Sequence, residues 1–364
     1  MRHLTRLVSC GAAAGAAIIM LAGCSGGGGG ITTPATGNVV QQDSVSMRYA
    51  SNLSPAGPIG RPFPLLSTQG SRVPVKAFVN SAALAKQSTM IAVSDVLHNA
   101  VDIFSLDGTQ LAQLTGFAGP GGLASDSKGN LYVADAGNSR VQVYSAGFTS
   151  PPTSLSTEGH VYGVDSFNNG QVVAAADIVG NQGLGNVKFF TNGQLINSVS
   201  SVTLPYIYRC AFDATGNLYV LAEDVDFHVR LGEVVGGAHG STINELTTTN
   251  VMTGAVDLSV TTNGQIAVET QGCCGDHRAI YTYNKPVGSS LGTPVSITPL
   301  SGTNPYKEAF AFTNDMSGLY TVDDHGTVQH YAYPIGGNPL SNFRIPSSEL
   351  DGVAVIAQSA KSIR

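Results

Sequence analysis

Gly122-Leu123-Ala124-Ser125-Asp126-Ser127-Lys128-Gly129-Asn130-Leu131-Tyr132-Val133-Ala134-Asp135-Ala136-Gly137-Asn138-Ser139-Arg140-Val141-Gln142-Val143-Tyr144 is the stretch on which the fold turns. Its β-branched and aromatic residues fall in short runs separated by Gly, Asn, Asp and Ser, the pattern of strands joined by turns. A first strand runs to Asp126, and a turn follows at Lys128-Gly129-Asn130. A second strand spans Leu131 to Ala134, and a loop from Asp135 to Ser139 leads to a third strand, Arg140 to Tyr144. A weaker, more polar fourth strand is expected near Ser154. The Gly-Asn pair supplies the positive φ angles that a tight hairpin needs.

The same organisation recurs more loosely along the chain. Ala211-Phe212-Asp213-Ala214-Thr215-Gly216-Asn217-Leu218-Tyr219-Val220 is one copy, with Arg230 near the position of Arg140. Tyr162 to Asp165 with Asn169 to Val173 is another, followed by Asp177 and a strand from Val187 to Phe190. Val256 to Val260, Asn263 to Val268 and Ala279 to Tyr283 form a further copy. Ala309 to Phe312, Gly318 to Asp323 and Val328 to Tyr333 form the last. The earliest copy lacks a first strand: Met90 to Asp95 reads as a second strand and Ala100 to Phe104 as a third. Gly352-Val353-Ala354-Val355-Ile356, at the far end of the chain, supplies the missing one.

Second strands begin near Ile91, Leu131, Val172, Leu218, Ile266 and Leu319, in steps of 40 to 53 residues. Such a period marks a repeat architecture, and each step fits one four-stranded blade. The split first copy predicts ring closure, which removes the sheet edges that an open array leaves bare. The expected fold is therefore an all-β, six-bladed β-propeller of four-stranded antiparallel blades over residues 77–364, closed by a C-terminal strand that completes the first blade. A pair of β-sandwiches is the alternative for apolar strands of this kind.

Residues 122–141 resemble the NHL repeat, whose pattern G-[LI]-A-x-D, then G-N-[LI]-Y-V-A-D, then N-x-R-[VI] they match nearly residue for residue. The resemblance runs from about residue 80 to the end, and it is specific around residues 119–147 and 207–223. It implies that Asp135, Asn138 and Arg140 hold their loop together, since that pattern belongs to the repeat. Related six-bladed propellers include lyases and lactonases that place a divalent metal at the central channel.

The N-terminus reads as a targeting segment. Arg2, His3 and Arg6 precede a small-residue apolar stretch, Leu7 to Ala22, which is too short for a good membrane span. It ends Leu21-Ala22-Gly23-Cys24, which resembles the lipobox of bacterial lipoproteins. The resemblance implies a signal peptide over 1–23 and acyl chains, palmitate among them, on Cys24; a cleaved signal with a coincidental cysteine is the alternative. Several acyl chains anchor a protein stably where one does not. Ser25, rather than Asp, after the cysteine resembles the outer-membrane sorting class, so an exported cell-envelope lipoprotein at the outer membrane or cell surface is expected. Residues 24–76, with the run Gly26 to Gly30 and many prolines, read as a flexible tether that cannot bury enough surface to order itself. A coil of about 50 residues spans roughly 40 Å.

The whole chain carries 18 Lys and Arg against 24 Asp and Glu. Losing residues 1–23 removes two basic residues and gives 16 − 24 = −8. No basic cluster suggests nucleic acid. Only 12% of residues are charged while 44 are Gly, which suits an exported all-β protein with many turns.

Function in such a ring sits on its loops. His98, His277 and His325 are expected on loops joining second to third strands, and His160 just before a first strand. These four, with Asp135, Asp177, Asp224 and Asp324, are the candidate ligands for a divalent metal at the channel mouth. No metal motif with ligand spacing supports them, and no nucleophile elbow, P-loop or dinucleotide fingerprint is present. Gln271-Gly272-Cys273-Cys274-Gly275-Asp276-His277 is the oddest loop. Cys210 is expected to pair with Cys273 or Cys274, with a vicinal bond between the latter two as the alternative, and no CxxC motif points to redox work. Two functions stay open. One is a monomeric, membrane-anchored binding or scaffold module for a protein or glycan, without catalytic residues or cofactor. The other is a metal-dependent lyase or lactone hydrolase at the channel mouth.

Overall fold

A computed structural model describes residues 77–358 apart from 180–183, 225–227, 249–253, 271–277, 303–306 and 347. The signal segment 1–23, Cys24 and the tether 24–76 lie outside the described residues.

Six antiparallel sheets follow one another along the chain. Blade 2 shows the plan: an inner strand Pro120–Ser125, then Leu131–Asp135, Arg140–Tyr144 and an outer strand Thr153–Ser156. This last strand is the polar fourth strand expected near Ser154. Blade 3 comprises His160–Phe167, Val172–Val179, Leu184–Thr191 and Gln194–Ser201. Blade 4 comprises Tyr206–Phe212, Leu218–Glu223, Val229–Val234 and Asn244–Thr248. Blade 5 comprises Ala255–Val260, Ile266–Thr270, Arg278–Tyr283 and Ser296–Leu300, and blade 6 Lys307–Phe312, Gly318–Asp323, Thr327–Ala332 and Ser341–Arg344.

Blade 1 is built from both ends of the chain. Thr89–Asp95, Ala100–Phe104 and Gln110–Thr115 come from the start, and the inner strand Leu350–Ala357 comes from the end. Val93 sits opposite Val353 and Ile91 opposite Val355. The ring closes as the split repeat predicts.

Packing follows from strand geometry. Alternate side chains leave opposite faces of a strand, so each blade has two apolar faces to bury. They are buried between blades: Met90, Ala92 and Ile103 of blade 1 cluster with Leu131, Val133 and Tyr144 of blade 2. Ala174 and Val187 of blade 3 cluster with Val220 and Ala222 of blade 4. Val322 and Val328 of blade 6 cluster with Val93 and Val353 of blade 1. Glycine permits the closest approaches. A Cβ on Gly163 would lie 2.7 Å from Arg209 Cα, and one on Gly352 would lie 2.4 Å from Gly121 O.

Two blades carry a fifth strand that has no counterpart in the repeat. Phe78–Val79 pairs with the outer strand of blade 1 opposite Gln113 and Ala112. Ser290–Gly292, from the insertion between the third and outer strands of blade 5, pairs in parallel with the outer strand of blade 4. Both cover edges that would otherwise present unpaired backbone groups. A single helical turn, Ser81–Leu84, follows the first of them, with Asn80 Oδ1 accepting from Ala83 N at 3.1 Å.

Candidate functional site: the central channel and the upper face

Chain reversal at every strand puts two kinds of connection on one face, here called upper: second-to-third-strand loops and blade-to-blade links. First-to-second hairpins and third-to-outer turns share the lower face.

The inner strands of all six blades line a central channel, with one edge of each strand facing it. Such an edge has no neighbouring strand, so its N–H and C=O groups need other partners. Side chains of adjoining blades supply several. Asp165 Oδ2 accepts from Phe212 N at 2.7 Å, and Asp257 Oδ2 accepts from Phe310 N at 2.9 Å. Ser125 Oγ donates to Val355 O at 2.7 Å. Each inner strand also shifts register near its upper end: at Pro120/Leu123, next to Ala176/Asp177, at Ile207/Arg209, Ala255/Asp257 and Lys307/Ala309, and beside Ser94/Asp95. A bulge re-aims the residues beside it, and it falls at the same level in every blade.

At that level Arg209 crosses the channel. It is 4% exposed. Its Nη1 donates to Tyr162 O at 3.1 Å and its Nη2 to Asp351 Oδ1 at 3.1 Å, while Nε lies 3.3 Å from Asp257 Oδ1. One guanidinium from blade 4 thus engages blades 3 and 5 and the closing strand of blade 1. Below it the channel widens into a cavity of about 310 Å³ reaching Thr262, Thr313, Asn314 and Met316 at the lower face. Burial raises the Asp165 and Asp257 carboxyls to about 6, against backbone hydrogen bonds to both and the Arg209 charge beside Asp257. Burial raises the Asp351 carboxyl too, against the same guanidinium. The sequence signal for this plug is a lone arginine inside the apolar run Tyr206-Ile207-Tyr208-Arg209-Cys210-Ala211-Phe212.

The expected histidines lie on the upper side of the ring. His98 and His325 occupy second-to-third-strand loops and His160 opens an inner strand. Each engages its own surroundings. His98 Nδ1 lies 2.7 Å from Asp95 Oδ2, His325 Nδ1 2.5 Å from Asp324 Oδ1, and His160 Nδ1 3.0 Å from Ala136 O. Among the described residues no three of His, Cys, Asp and Glu come together as a metal ion would require. His277 lies outside the described residues.

The candidate carboxylates have local partners as well. Asp135 is fully buried and takes four contacts: Ala118 N at 2.7 Å, Asn138 Nδ2 at 2.8 Å, Arg140 Nε at 2.8 Å and Gln142 Nε2 at 3.2 Å. This is the loop-holding role that the repeat pattern implies. Asp177 faces the buried Lys188 at 3.2 Å. In blade 4 the Asp135 position, opposite Arg230, is Ala222, and Arg230 pairs instead with Asp224, two residues further on, at 2.8 Å. Glu223 is 2% exposed and, among the described residues, its Oε2 has no hydrogen-bond partner. Burial, then the charge of Asp224, raises its carboxyl to about 8.

Among the described residues Cys210 has no disulfide partner; it is buried with Ala174, Ala176 and Val187 in the packing of blade 4 against blade 3. Burial pushes it well above the ordinary thiol range. Its expected partners, Cys273 and Cys274, lie outside the described residues.

Residues 117–144 match the NHL repeat family. No curated protein sequence matches the chain. Solved structures resemble it over most of its length. A chain in the crystal structure of a nidogen/laminin complex is 15% identical, with a TM-score of 0.57, covering 74% of this chain and 100% of that one. A protein of unknown function from Bacteroides caccae is 10% identical, with a TM-score of 0.55 and coverage of 74% and 99%. A functionally unknown protein from Desulfotomaculum acetoxidans DSM 771 is 12% identical, with a TM-score of 0.50 and the same coverage. At these identities the likeness establishes the propeller fold.

Proposed function

We propose that the protein is an envelope-anchored propeller, held by lipid on Cys24, that acts as a binding or scaffold module and presents its upper-face loops to a protein or glycan. The observation that carries this reading is the Arg209 plug. A guanidinium bound to Tyr162 O, Asp257 and Asp351 fills the upper end of the channel with an internal structural contact, and the described histidines around it are engaged locally, His98 and His325 by aspartates of their own blades and His160 by Ala136 O of blade 2. What the upper face offers is a ring of loops on a rigid support, the usual setting for recognition.

The test is affinity capture from native envelopes with the full chain, alongside a variant carrying His98→Ala and His325→Ala on the upper face. A specific partner retained by the parent and weakened in the variant supports the reading. Metal-dependent turnover of lactone or uronate substrates by the purified chain, lost in the same variant, overturns it.

A further inference from the structure

Turns joining third to outer strands lie at the lower rim of the ring. In blades 4, 5 and 6 they contain Val235-Gly236, Val287-Gly288 and Ile335-Gly336, with glycine φ angles of 76°, 62° and 67°. The aliphatic residue before each glycine is 56%, 83% and 77% exposed. Blade 1, the next blade round the ring, has Leu106 in the same turn, 46% exposed. Blades 2 and 3 differ: Phe148 is 5% exposed, and Thr191-Asn192-Gly193 is polar. Scattered exposed aliphatic residues need no explanation. Here they recur at one place in the repeat, on one face, in four consecutive blades.

Folding gives no reason for them. None of the four belongs to a core cluster, and a polar residue would suit an exposed turn as well. They stand on separate blades, so they frame no groove in which a peptide could lie. A broad surface, rather than a cleft-bound segment, is the partner that suits residues spread round one rim. Charge does not draw an acidic surface here, since Lys285, beside Val287, is paired with Asp213 at 3.0 Å and Asp107 follows Leu106. The chain enters the ring at Phe78–Val79, on the outer edge of blade 1, inside the same arc. Residues 24–76 separate that edge from Cys24 in sequence.

We infer that Leu106, Val235, Val287 and Ile335 enter the outermost layer of a lipid bilayer and turn the lower rim of blades 4, 5, 6 and 1 toward it. The inference rests on the anchored reading above. Four short aliphatic tips bind too weakly to recruit a protein from solution. A tether turns that weak contact into an intramolecular one, so the lipid on Cys24 provides attachment and the tips set orientation. The upper-face loops then point away from the membrane.

The experiment uses the full lipidated chain in vesicles of phosphatidylethanolamine and phosphatidylglycerol, with photoreactive p-benzoylphenylalanine replacing Val287 or, on the opposite face, His325. Lipid adducts are expected from position 287 at least about five-fold above position 325. In a chain probed at position 106, V235S, V287S and I335S together should lower the adducts by a similar factor while flotation with vesicles and melting temperature stay unchanged. Equal lipid adducts from both faces, or protein rather than lipid adducts from position 287 in native envelopes, overturn the orientation while leaving the anchor standing. Failure of the parent chain to float overturns the anchor itself, and the inference with it.

Discussion

Val93 and Val353 face each other across an antiparallel pair although 260 positions separate them in the chain. Their pairing joins the ring, and both contribute to the cluster that packs blade 6 on blade 1. Deleting residues 351–364 removes an inner strand from that interface and leaves Thr89–Asp95 as a bare edge. The truncated protein is expected to melt more than 10 °C lower, or not to fold. Val353→Ala, a milder cut into the same contact, should cost about 1–2 kcal/mol. Thermal unfolding followed by circular dichroism reads both, and an unchanged midpoint in the truncated chain would refute the closure.

Arg209 provides a sharper test of the channel. Arg209→Met leaves Asp257 and Asp351 buried without their cation and Tyr162 O without its donor. Removing one partner of a buried pair typically costs about 3–5 kcal/mol. Adding Asp257→Asn and Asp351→Asn to the same chain should restore a substantial part, because uncharged amides no longer need the guanidinium. Urea denaturation of the single and triple variants makes the comparison. A triple variant weaker than the single one would show that the network contributes beyond charge balance.

The fold and its centre were unequally legible from sequence. Residues 122–144 reveal the repeat because four features coincide there: alternating strands, a Gly-Asn turn, a terminal Asp and a matching Arg. The split first copy reveals closure because Gly352 to Ile356 has no partner strand nearby. Arg209, Asp257 and Lys188 give no such signal because they sit inside apolar strands, where the meaning of a charged residue depends on its spatial partners. The partners of Arg209 come from residues 162, 257 and 351, a spread that no local pattern reveals. The edge strands Phe78–Val79 and Ser290–Gly292 are too short to show any periodicity.

Glu223 makes stability depend on pH. Its carboxyl is raised to about 8 in the fold from 4.5 in an unfolded chain. The unfolded state therefore binds fewer protons between those values, and the favourable contribution of the neutral acid is full at low pH and lost as pH climbs through about 8. Asp102, Asp165 and Asp257, each raised to about 6, act in the same direction at lower pH. The protein is expected to be more stable at pH 5 than at pH 9. Glu223→Gln should flatten the upper part of the curve and gain on the order of 1 kcal/mol at pH 9. Melting curves at half-unit intervals check the slope.

Gly163 tests the backbone contact between inner strands. Gly163→Ala drives a Cβ to within 2.7 Å of Arg209 Cα, whereas at Gly193 a Cβ meets nothing within 4 Å. Overpacking of this sort typically costs about 1–3 kcal/mol. Gly193→Ala bears only the strain of its positive φ of 80°, about 1 kcal/mol. Chemical denaturation should rank Gly163→Ala as the more damaging of the two.

Phe78–Val79 meets blade 1 through only two residue pairs, while the closing strand of that blade is held through seven. With two pairs against seven, the short strand is the weaker attachment of the two, and its loss leaves the clasp at the centre of the wheel intact.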